Sequence, residues 1–121
     1  MIPTNAVATI PTGAQVSNEI DTQGAAWLGF ELPAALDSAL KLTFDVAANE
    51  GGTNGVFQEL LDSGGVEVAL TVAAGQCISP TEATMHLLAP WRYIRVRLGT
   101  HAAPVTATAP RVITIVLKSP S

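Results

Sequence analysis

Residues 91–98 (WRYIRVRL) alternate strictly between two kinds of side chain. Ile94, Val96 and Leu98 fall on one side of an extended chain; Tyr93, Arg95 and Arg97 fall on the other. On an α-helix, residues two apart are separated by about 200°, so no helix would gather either set on one face. A period of two is the mark of a half-buried β-strand. The strand requires a core against one face and is expected to offer a cationic, wettable surface on the other. Any fold open to this chain has to supply sheets that cover Ile94, Val96 and Leu98.

The same period recurs along the chain. Residues 41–47 (KLTFDVA) read as a strand with Leu42, Phe44 and Val46 inward and Lys41, Thr43 and Asp45 outward. Residues 66–72 (VEVALTV) place Val66, Val68, Leu70 and Val72 together. Residues 26–32 place Leu28, Phe30 and Leu32 opposite Trp27 and Glu31. Residues 111–118 (RVITIVLK) place Ile113, Ile115 and Leu117 on one face and Val112, Thr114 and Val116 on the other, as in a strand covered on both sides. Shorter strands are expected at 6–10, 16–20, 56–61 and 76–78. Pro and Gly punctuate them at 11–13, 49–55, 62–65 and 73–75. Residues 33–40 read as a connecting loop with at most a single helical turn, being too short for a stable helix. Ser79-Pro80-Thr81-Glu82 has the form of a capping box and should open one short helix near 80–88 that ends before Pro90. About eight short strands at regular spacing predict an all-β fold, an antiparallel β-sandwich or jelly roll. The expected core includes Phe44, Leu70, Ile94, Val96, Ile113 and Ile115.

At 121 residues the chain is read as a single domain, 1–121, able to bury a core unaided. Its one cysteine, Cys77, excludes an internal disulfide and reads as a small apolar residue in a strand. The first residues lack the basic and apolar runs of a signal peptide, and the uncharged run 68–81 is broken by Gly75 and Pro80, so no membrane partner is expected. Charged residues make up 13% of the chain, against about 25% in ordinary domains. A surface so poor in charge suits a protein that spends its life against other protein. All ten acidic residues lie between Glu19 and Glu82, and five of the six basic residues between Arg92 and Lys118. The net charge of −4 argues against nucleic acid as a partner, because phosphate neutralisation needs a coherent basic face.

Catalytic patterns are missing. No glycine-rich phosphate loop opens a helix, no serine sits in a G-x-S-x-G elbow, and the acids are not spaced as a glycosidase pair. Asn49 and Glu50 read as a turn, not as a calcium loop. His86 and His101 read as surface residues, and His101 has no carboxylate or thiol close in sequence. Trp27, Trp91 and Tyr93 are the candidates for sugar stacking. No enzyme activity, cofactor or metal is expected. The residues expected at a partner interface are Arg92, Tyr93, Arg95 and Arg97; for Arg95 and Arg97 the bland alternative is pairing with an acid on a neighbouring strand, such as Glu67 or Asp45.

From Leu40 to Lys118 the chain resembles a group of small virion structural proteins of tailed bacteriophages. The matching pieces are Leu42-Thr43-Phe44, Gly51-Gly52-Thr53, the run Leu60 to Val68 (LLDSGGVEV), the run Arg92 to Thr100 (RYIRVRLGT), Ala102-Ala103-Pro104-Val105 and the last strand. Ile20-Asp21 and Leu32-Pro33-Ala34-Ala35 fit the same plan. Where such proteins commonly carry Asp-Gly-Gly in the hairpin, this chain has Glu50-Gly51-Gly52, followed by an extra Asn54-Gly55. The resemblance implies a capsid decoration (cement) protein: a homo-oligomer made in the host cytoplasm, bound to the major capsid protein on the outside of the virion. A head–tail connector or tail component is the alternative within that group. The Arg92–Arg97 piece also resembles a strand of jelly-roll carbohydrate-binding modules, which implies a glycan as the other alternative.

Overall fold

The computed structural model describes residues 5–52 and 56–118. The expectations for the first four residues and for Asn54-Gly55 lie outside the described residues. In chain order the elements are β1 (Asn5–Ile10), β2 (Ile20–Asp21), β3 (Trp27–Glu31), β4 (Lys41–Ala47), β5 (Gln58–Glu59), β6 (Ala69–Thr71), β7 (Cys77–Ile78), α1 (Glu82–Leu88), β8 (Tyr93–Leu98) and β9 (Arg111–Lys118). They form two antiparallel sheets. The first runs β1-β9-β3-β7; the second runs β2-β8-β4-β5, with β6 also paired to β4.

The centre of the second sheet is the β4–β8 ladder, which pairs Leu42 with Leu98, Phe44 with Val96 and Val46 with Ile94. These six side chains point at the first sheet and are fully or nearly fully buried. From the first sheet, Ile10, Phe30, Ile113 and Ile115 meet them. The rings of Phe30 and Phe44 stand 5.9 Å apart and tilted, which ties the two sheets across the core. All six residues expected in the core are buried.

Five expectations are corrected. Thr43 and Asp45 are not outward residues at the surface; both are buried, because loops lie over the outer side of β4. Tyr93 is buried too, and Arg95 and Arg97 are half-buried, so the face expected to be wettable is largely covered. Val66 is exposed, unlike Val68, Leu70 and Val72, because the pairing of β6 begins only at Ala69. The helix starts two residues later than the capping box implied: Thr81 is the N-cap, its hydroxyl accepting from the Thr84 amide, and Pro80 precedes the cap. The strands expected at 16–20, 56–61 and 66–72 are also shorter than their alternation suggests, since only parts of them find partners.

The outer edge of β1 is closed by one side chain. The Asn18 amide oxygen accepts from the Thr9 amide at 2.8 Å, its amide nitrogen donates to the Val7 carbonyl at 3.4 Å, and its backbone N–H donates to the Thr9 carbonyl. These groups would otherwise stand unpaired along a sheet edge.

Val96 tests the register. It is fully buried opposite Phe44. Val96→Ala should lower unfolding free energy by roughly 1–3 kcal/mol in urea titration, whereas an unchanged midpoint would place Val96 on the solvent side of its strand.

Candidate functional site

The period of two places Thr43 and Asp45 of β4, Arg95 and Arg97 of β8 and Glu59 of β5 on the outer side of the second sheet. Two connections close over them. The first is the 60–68 hairpin. Its turn is built by Asp62, whose carboxylate accepts from the amides of Gly64 and Val66; Leu61 then pairs with Glu67. The second is the 99–104 loop. Gly99 opens it at φ +77°, and a Cβ there would lie 2.6 Å from the Ala103 carbonyl, so only glycine fits. The Gly99 amide donates to the Lys41 carbonyl, the Val105 amide donates to the Leu98 carbonyl, and the Thr43 hydroxyl donates to the Gly99 carbonyl at 2.8 Å.

This loop delivers His101 into a ring of acids. Its Nε2 contacts an Asp45 carboxylate oxygen and its Nδ1 contacts Glu67. Glu59 lies 3.4 Å from Nδ1, and the His101 amide donates to Glu67 at 3.2 Å. Arg97 holds the other Asp45 oxygen at 3.0 Å. Burial opposes a charge on His101, but the hydrogen bonds to Glu67 and Asp45 outweigh it and hold the imidazole above its ordinary pKa. Burial likewise works against the Glu67 carboxylate, yet the contacts from the His101 ring and amide pull its pKa below the ordinary value. Glu59 is pushed up, first by its hydrogen bond with Glu67 and then by desolvation. The donor atoms of Glu59, Glu67 and His101 all lie within 4.8 Å of one another, the spacing of a possible metal set. Nδ1 and the Glu67 carboxylate meet directly as hydrogen-bond partners.

The other expected residues are spread over the same sheet. Arg92 is largely exposed and forks onto Asp21 at 3.0 and 3.2 Å. Arg95 lies over the Phe57 ring at 4.3 Å, a cation–π contact, with its Nε buried and unpaired. For Arg97, pairing with Asp45 inside the chain is the arrangement found. His101 is the residue that sequence reasoning missed. Its partners stand 34 and 56 positions away, and only strand pairing brings them together.

The outer side of the first sheet is different. Val7, Trp27, Val112 and Val116 are each about half exposed there, among Thr9, Gly29, Thr114 and the exposed Cys77. Glu31 and Lys118 are the charges these strands place on that side. Among the described residues, nothing provides the double-sided cover expected for the last strand. Beside Trp27 runs a shallow groove of about 350 Å³, lined by Gly29, Glu31, Cys77, Ser79, Val116 and Lys118 among others. Trp91 packs against the core and Tyr93 is buried, which leaves Trp27 as the exposed member of the three aromatic candidates.

The Asp45–Arg97 pair is testable through a double-mutant cycle. Side chains exposed by only 11% and 18% leave a partner poorly solvated when one is removed. Asp45→Leu and Arg97→Met should each destabilise by about 1–3 kcal/mol, and the double variant by less than the sum. Additive losses in thermal unfolding would mean that the two charges do not depend on each other. No family model matches the chain, and no curated protein or solved structure matches it either.

Proposed function

We propose that this protein is a capsid decoration protein of a tailed bacteriophage, a jelly-roll sandwich that sits on the outside of the head and bridges neighbouring major capsid protein subunits. The observation that supports this reading best is the bare, nearly uncharged outer side of the first sheet. A contiguous apolar face on a chain so poor in charge suits burial against another protein. The opposite side is closed by its own loops and ion pairs, which leaves the Val7–Val112–Val116–Trp27 side as the docking face. Each copy would add buried area across a capsomer junction, and many copies together would resist the pressure of packaged DNA. Of the four arginine-strand residues first considered for the partner, Arg92 retains an exposed guanidinium, but it adjoins the second sheet and is paired with Asp21, so this docking face does not use it.

The test is binding to purified heads that lack the protein. Val112 and Val116 are exposed, so Val112→Lys with Val116→Lys should leave the fold intact. Wild type should decorate the head in many copies, and the double lysine variant at least tenfold less densely. Equal occupancy would remove this face as the contact. A stoichiometry on the order of ten per particle would indicate a ring at one vertex, as for a head–tail connector.

A second reading rests on Trp27. An exposed indole at a shallow groove, with the Glu31 carboxylate on the same strand, has the form of a platform for the apolar side of a sugar ring. Under the decoration reading a broad glycan array stays blank. Saturable saccharide binding that disappears in Trp27→Ala would put the carbohydrate-binding reading first.

A further inference from the structure

Three pieces of chain meet at His101: β4 through Asp45, β5 through Glu59 and the 60–68 hairpin through Glu67, with Arg97 of β8 behind them on the other Asp45 oxygen. A neutral imidazole has one N–H and one lone pair. With carboxylates against both ring nitrogens, it can donate to only one and must turn its lone pair on the other. The doubly protonated ring donates to both. We propose that His101 is a proton-operated clasp: as imidazolium it binds the 99–104 loop to β4 and to the 60–68 hairpin, and on losing its proton it releases the loop.

The groups that face the ring give this its direction. Asp45, Glu59 and Glu67 attract a proton to it, and Arg97 opposes one. With the ring neutral, the carboxylates have the Arg97 guanidinium as their only close cation among the described residues. Arg95, the register partner of Asp45, has its guanidinium over Phe57 instead. A histidine whose pKa is raised on folding contributes stability that is complete below its ordinary value of 6.5 and is lost as pH rises through the raised value. Glu67 works in the opposite sense: its lowered pKa gives a contribution present above the ordinary 4.5 and lost as pH falls further. The clasp is therefore closed at mildly acidic pH and opens as pH rises through the raised His101 value.

Opening is local. The base of the loop is held by the Gly99 and Val105 amides, which bond to Lys41 and Leu98 and do not involve the ring. Only the tip, 100–104, depends on His101. The proposal does not rest on the docking reading.

Amide hydrogen exchange on the intact chain tests it, from pH 5.5 to 8.5 with EDTA present and rates corrected for intrinsic exchange. In wild type, protection at the amides of His101 and Ala103 should fall at least tenfold, in step with the His101 titration followed by NMR of the imidazole. The amides of Ile113 and Ile115 should not respond. His101→Gln should leave the amides of residues 101 and 103 unprotected at every pH. Flat protection through the wild-type titration, or a pH response that persists in His101→Gln, would overturn the clasp. Glu67→Gln keeps the imidazole and removes one anchor, so it should move the His101 midpoint down towards the ordinary value. An unmoved midpoint would overturn the clasp independently of how His101→Gln behaves.

Discussion

The pairing of β4 with β8 is the constraint on which the rest of the structure depends. Six residue pairs, from Leu42–Leu98 to Ala47–Tyr93, fix two strands in one register. A slip of β8 by a single residue would turn Ile94, Val96 and Leu98 outward together and bury Arg95 and Arg97 in the core. Within the second sheet, β2 attaches to β8, and β5 and β6 attach to β4. The first sheet meets this ladder through Phe30. The loops that carry Glu67 and His101 are anchored to the same two strands.

The separation of acids early in the chain from bases late in it finds its explanation in three ion pairs. Asp21 meets Arg92, Asp45 meets Arg97 and Asp37 meets Arg111, at separations of 71, 52 and 74 residues. Asp37 lies in the 33–40 connection, at positive φ. The Arg111 guanidinium grips its carboxylate with two bonds of 2.6 and 2.7 Å and, with help from the Thr108 hydroxyl, holds its pKa far below the ordinary value. Charges in this chain serve less to solvate it than to fasten late strands to early segments. The bonds are directional and cross large sequence distances, so they discriminate between topologies even where each contributes modestly to stability.

Much of this architecture was legible in the sequence. Alternation located β3, β4, β8 and β9 to within a residue or two, because each of these strands buries one row of large apolar side chains. The same rule failed for Val66 and shortened the strands around 16–20 and 56–61, where alternation exists but no partner strand runs alongside. It failed in a more instructive way for Thr43 and Asp45. Polarity at every second position signals water in an isolated sheet, but here loops cover that side and the polar groups are satisfied by Gly99, Arg97 and His101. The site around His101 was invisible because its members come from four segments, and no local pattern marks a histidine whose partners arrive through strand pairing. Arg97 with Asp45 was legible as one of two alternatives, since neighbouring strands with opposite charges on one face will tend to bring them together.

The closure of β1 by Asn18 bears on how copies of this chain can associate. A free strand edge is a template: one molecule adds to another by extending the sheet, and nothing in that geometry ends the growth. Here the outward carbonyl of Val7 and both backbone groups of Thr9 are already engaged by a residue of the same chain. A second molecule would have to displace Asn18 before it could continue the ladder there. Contact through side chains of the broad sheet surface carries no such invitation to polymerise, because the surface is finite and is used up when it is covered. Asn18 thus biases the molecule away from fibres and towards assemblies whose size is set by the shape of what they cover.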